Sequence, residues 1–154
     1  MTNKNLFKIR IWIGLFILCL AFSGITAFPL QTELGWLLSH WPLATDGGLH
    51  AWIIRVYAAL ADINLRYPFL AYGYDWLAFA HLIIAIAFIG PLKDPIRNIW
   101  VIQFGMIACV LIFPLALTAG EIRGIPIYWR LIDCSFGVIG LIPLGIVYRL
   151  IRKA

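Results

Sequence analysis

The sequence predicts an all-α polytopic membrane protein, with four transmembrane helices and one or two interfacial helices between the first and second spans. Three observations carry this. Of 154 residues, 63% are hydrophobic and 12% charged, where a soluble domain has about half apolar and roughly a quarter charged. Four separate stretches reach the about 20 apolar residues that cross a hydrocarbon layer. The cations flank those stretches rather than lining one soluble face, as membrane orientation requires. An ordinary soluble domain, a disordered tail and a secreted disulfide scaffold are excluded. The net charge of +5 is therefore a matter of orientation and does not indicate nucleic acid. The partner it implies is the lipid bilayer.

The first span runs from about Ile9 to Pro29, preceded by Lys4, Lys8 and Arg10. Ala21-Phe22-Ser23 resembles a cleavage site, but the apolar run continues at full spanning length, so a retained helix is expected rather than a signal peptide. The segment 31–71 is the one long connection. Gln31–Trp41 and Leu49–Leu65 each read as a helix, separated by Pro42 and the turn Thr45-Asp46-Gly47-Gly48. On the second, Arg55, Asp62 and Arg66 form a narrow polar stripe. If that helix crossed, making five spans, the basic 93–98 turn would lie outside, against the charge bias. An interfacial or re-entrant helix is preferred.

The second span runs from Tyr72 to Leu92, and Gly90-Pro91 is read as its end. The third runs from Pro95 to Ala119, with Asp94 as N-cap, Pro95 at the first helical position and Gly120 as terminator. Pro114 is expected to kink it and open a pocket. The fourth runs from Ile127 to Leu150, opened by Pro126, and its Gly137, Gly140 and Gly145 suit close helix packing. No internal repeat or heptad run is visible, so the whole chain, 1–154, reads as a single integral membrane domain, a four-helix bundle.

Eight basic residues (Lys4, Lys8, Arg10, Lys93, Arg97, Arg149, Arg152 and Lys153) fall on one side of this arrangement; four arginines fall on the other. The positive-inside rule puts both termini and the 93–98 turn in the cytoplasm of a bacterial-type inner membrane. Six of the seven acids and all three histidines then lie outside, where every cation is arginine, the residue suited to carboxylate and phosphate.

Candidate site residues follow from that crowding: Arg123, Arg130, Glu121, Asp133, Asp75 and His81. Arg130 and Asp133 are three apart on one helix and share a face, so a packing ion pair is the bland reading. An arginine offered to an anionic ligand is the functional one. Asp133 lies roughly 9 Å into its span, at a depth where an unpaired acid costs a few kcal/mol. His81 lies deeper, and its bland reading is a neutral histidine donating to a neighbouring helix. Thr26 and Thr118 are the weak partners available to it. No cofactor or metal is expected. A bis-histidine haem needs a second buried histidine, and His40 and His50 lack close metal-ligand spacing. Phosphate-loop, dinucleotide and hydrolase motifs are missing. Cys19, Cys109 and Cys134 read as small apolar side chains.

Three functions compete, and whether any is enzymatic stays open. The first is a pocket on the extracytoplasmic side for an anionic small molecule or a phospholipid headgroup, with catalysis not derivable. The second is an accessory or scaffold subunit of a larger membrane complex. The third is a proton-coupled carrier using His81, Asp75 and Asp133, against which the apolar inner half argues.

Overall fold

The protein is described from a computed structural model that covers residues 3–41 and 48–153. Seven helices form the order α1 (Asn3–Ala27), α2 (Leu30–His40), α3 (Gly48–Arg66), α4 (Pro68–Ala87), α5 (Ile89–Lys93), α6 (Ile99–Ile122) and α7 (Ile127–Arg152), with no strand among the described residues. Pro42 and Thr45-Asp46-Gly47 lie outside the described residues, and Gly48 opens α3 rather than closing a turn. Among the described residues, four helical stretches are long and apolar enough to cross a membrane: α1, α4 with α5 (Pro68–Lys93), α6 and α7. This is the make-up of an integral membrane protein.

The chain groups into two compact units, Met1–Cys19 with Ile84–Ala154, and Leu20–Ile83. In the first, the largest fully buried side chains are Ile9 and Ile13 of α1, Phe88, Pro91 of α5, Ile102 of α6, and Leu144 and Val147 of α7. Lipid is as apolar as leucine, so close fit rather than water exclusion holds such a layer together. Small residues provide the fit. A Cβ on Gly105 would meet Phe88 Cζ at 2.6 Å and Leu144 Cδ1 at 2.9 Å. On α7, one on Gly137 would meet the Cys109 carbonyl oxygen at 2.6 Å, and one on Gly140 the Cys109 Sγ at 2.7 Å. Gly145 meets nothing within 4 Å. Two of the three expected packing glycines thus sit in the antiparallel α6–α7 seam, and the third faces open space.

All eight residues of the basic set belong to this unit. Arg10 also caps a helix, donating from Nε to the Leu92 carbonyl (3.2 Å) and from Nη2 to that of Lys93 (3.3 Å). These are carbonyls that the end of α5 leaves without helical donors.

Several helix ends differ from the sequence expectation. Gly90-Pro91 does not end the second span. Pro91 falls in the first turn of α5, where a missing N–H is no loss, so the pair restarts a helix broken at Phe88. Asp94 and Pro95 do not start α6, whose N-cap is Asn98. Asp94 Oδ1 accepts from the Arg97 backbone N–H at 3.0 Å, capping the 94–97 turn, while Asn98 Nδ2 donates to the carbonyls of Gly90 (3.2 Å) and Asp94 (2.9 Å). Gly120 does not terminate α6 either. The helix continues to Ile122, and Gly124, at φ 65°, reverses the chain. Ile125 N–H donates to Gly120 O (2.9 Å) and Gly124 N–H to Glu121 O (3.0 Å). This is the Schellman pattern, which needs a left-handed residue that glycine adopts without strain. Pro126 then caps α7 in extended conformation. Both α6 and α7 run unbroken through internal prolines, Pro114 and Pro143.

In the second unit, Gly24 of α1 lets the Ala78 carbonyl and Leu82 of α4 approach. Asn64 of α3 donates from Nδ2 to Gln31 Oε1 of α2 and accepts at Oδ1 from the Tyr74 hydroxyl of α4 at 2.8 Å. One amide thereby ties three helices together. On the expected polar stripe of α3, Arg66 pairs with Asp62 at 2.7 Å, and Arg55 lies over the Trp52 ring at 6.0 Å.

Candidate functional site

Four of the six candidate residues gather around the α6–α7 turn. Glu121 occupies the last turn of α6, Arg123 caps its C-terminus, and Arg130 and Asp133 occupy the first two turns of α7. Their pairing differs from the one expected. Arg130 makes its ion pair with Glu121, across the turn, rather than with Asp133 on its own helix. Its Nη1 also donates to the Leu117 carbonyl at 3.3 Å. Gly120 is the cause. The Arg130 stem occupies the space beside it, and a Cβ there would lie 2.5 Å from Arg130 Cδ. The arginine is drawn back against α6 and is only 13% exposed, whereas Glu121 remains 71% exposed. Arg130 Nε is buried and has no hydrogen-bond partner among the described residues.

Arg123 and Asp133 are left for other work. Both line a hollow of about 250 Å³, together with Ile112, Leu115, Ala116, Ala119 and Gly120 of α6 and Ile125 of the turn. Among the described residues neither of the two has an ion-pair partner. The hollow therefore combines one guanidinium, one carboxyl and an apolar wall. Its α6 lining residues recur at spacings of three and four and form one helix face.

Asp75 and His81 belong to the second unit, on α4. His81 Nδ1–H donates to the Leu77 carbonyl of its own helix at 2.8 Å, not to a neighbouring helix. A carbonyl only accepts, so Nδ1 bears the hydrogen and Nε2 is the nitrogen left for chemistry. Thr26 Oγ1 and Thr118 Oγ1 likewise donate back within their own helices, to Phe22 O (3.0 Å) and Pro114 O (2.5 Å). His40 contacts the Trp36 carbonyl (2.8 Å) and Ser39 Oγ (2.9 Å), and His50 stacks on Trp41. Among the described residues no three His, Cys, Asp or Glu side chains form a metal-holding group. Ser135 Oγ donates to the Ile132 carbonyl at 2.6 Å, so its hydroxyl serves its own helix.

Sequence reasoning missed the apolar wall of the hollow and the Gln31–Asn64–Tyr74 tie. Asn64 lies between Asp62 and Arg66 and Gln31 beside Thr32 and Glu33, so neither amide stood out as a signal for the tie. For the wall, Ala116, Ala119 and Gly120 in succession mark where a helix surface is low.

The fold defines a class: a helical protein with, among the described residues, four stretches long and apolar enough to cross a membrane. No protein-family model, curated protein or solved structure matches the chain.

Proposed function

We propose that the α6–α7 turn is a binding site for a phosphate-bearing group, a phospholipid headgroup or other small anion, with Arg123 as its main contact. The observation that carries this reading is that Arg123 is exposed, is in no ion pair among the described residues, and borders a hollow whose wall is apolar apart from Asp133. Arg130 and Glu121 hold the turn rather than the ligand, since each has the other. The role is binding. Asp75 and His81 remain candidates on α4, and nothing in the proposal depends on them.

The same reading puts the turn on the extracytoplasmic side of a bacterial-type inner membrane, with α2 and α3 interfacial. The eight-to-four split of basic residues supports it, as does the polar stripe of α3, which would be costly in a lipid-exposed span. Binding should be visible as stabilisation, since ligand at a hundredfold over Kd adds about 2.7 kcal/mol. Titration with a short-chain phosphatidylglycerol is expected to raise the thermal midpoint in detergent. Arg123→Gln should abolish the rise and Arg55→Gln should preserve it. Equal loss in both variants would overturn the assignment.

A further inference from the structure

We infer that the hollow at the α6–α7 turn is built for an aminophospholipid, with Arg123 holding the phosphate and Asp133 the primary ammonium. This rests on the reading that Arg123 binds a phosphate and adds the partner of the opposite charge.

Two opposite charges line one hollow and do not neutralise each other. Arg123 and Asp133 both line it, and neither belongs to an ion pair among the described residues. A few residues away, Arg130 and Glu121 do pair. The turn therefore closes one of its two Arg–acid sets and leaves the other open. A dipolar headgroup satisfies both members of an open set at once.

The sign of Asp133 decides which headgroup. A carboxylate inside a membrane span is costly unless paired. A purely anionic headgroup would add a second negative charge beside it, whereas an ammonium neutralises it and offers three N–H donors. A trimethylated amine has the charge but no N–H, and it is bulkier. The hollow is small, about 250 Å³, and low-walled where Ala116 and Ala119 line it. That space suits the compact amine.

The apolar remainder suits the rest of the molecule. Ile112, Leu115, Ala116 and Ala119 follow one face of α6 toward the interior of the span. From Ala119 back to Ile112 that face extends about 10 Å, enough to guide the first several methylenes of an acyl chain. Headgroup contacts at the turn and chain contacts along α6 then belong to a single ligand.

The test is native mass spectrometry of the detergent-solubilised protein with phosphatidylethanolamine, its mono- and dimethyl derivatives, phosphatidylcholine and phosphatidylglycerol of identical tails. Adduct retention is expected to fall stepwise with methylation, with phosphatidylethanolamine at least tenfold above phosphatidylcholine and phosphatidylglycerol. Asp133→Asn should bring phosphatidylethanolamine down to the phosphatidylglycerol level. Arg123→Gln should lower all five, and Ala116→Leu, which fills the hollow without altering charge, should do the same. Equal retention across the methylation series, with loss only in Arg123→Gln, overturns the amine assignment and leaves the phosphate reading intact. Retention unaffected by Arg123→Gln overturns both. The methylation series uses the unaltered protein, so a variant that fails to fold does not blunt the test.

Discussion

Gly137 and Gly145 lie about two turns apart on α7, yet only the first faces another helix. A Cβ at Gly137 meets backbone, the Cys109 carbonyl oxygen at 2.6 Å, which cannot rotate away. Gly137→Ala should therefore destabilise by about 1–3 kcal/mol, the usual cost of overpacking. Gly145→Ala meets nothing within 4 Å and should be neutral, or stabilising by up to about 1 kcal/mol through helix propensity. Thermal midpoints in one detergent compare the two, and equal losses would refute the α6–α7 seam. Arg130 shows the reach of sequence at this scale. Its three-residue spacing from Asp133 correctly gives a shared face, but not which neighbour that face meets. The missing information was the gap beside Gly120, a tertiary feature that draws the guanidinium to Glu121 instead. That Glu121, Arg123, Arg130 and Asp133 gather at one turn was legible from their closeness along the chain. Their internal pairing was not.

Among the elements, the four long apolar helices were legible because length and apolarity are properties of the chain itself. Their ends were less so. Asp94-Pro95 and Gly120 carry the residue types of a start and a stop, but equivalent signals at Asn98 and Gly124 lie four residues further on in each case. Asn98 holds the N-cap position without a side-chain cap bond, its amide donating instead to the Gly90 and Asp94 carbonyls, so the preceding turn rather than a capping side chain sets where α6 begins. The seam between α6 and α7 was hidden for a different reason. In water a buried face stands out as apolar against polar; in lipid both faces are apolar, and only small residues such as Gly105, Cys109, Gly137 and Gly140 mark the contact. Gly124 tests the turn that presents the hollow. Nothing lies within 4 Å of a Cβ added there, so any cost must come from its φ of 65°. Gly124→Ala is expected to lower stability by about 1–2 kcal/mol, and Gly124→Asn by less, because asparagine visits the left-handed region more readily. Unfolding in a denaturing detergent measures both. Equal, negligible losses would mean that the turn is not held in the Schellman conformation.

For the whole molecule, scarce charge divides into two populations with different tasks. Lysines and terminal arginines accompany the buried layer of Ile9, Ile13, Phe88, Ile102 and Leu144 in the first unit. One of them, Arg10, also caps α5. Arginine and acid without lysine occupy the α6–α7 turn. The proposed extracytoplasmic placement of the turn depends on α3 not crossing, because a fifth crossing would put the α6–α7 turn inside and the 93–98 turn outside while leaving Lys4, Lys8 and Arg10 in place. Cysteine labelling in intact cells decides this most directly. In a background with Cys19, Cys109 and Cys134 replaced by alanine, single cysteines are placed at Arg97 and at Arg123, and a membrane-impermeant maleimide is added from outside. The expected result is labelling at 123 in intact cells and at 97 only after permeabilisation. Labelling at 97 with protection at 123 would contradict the account.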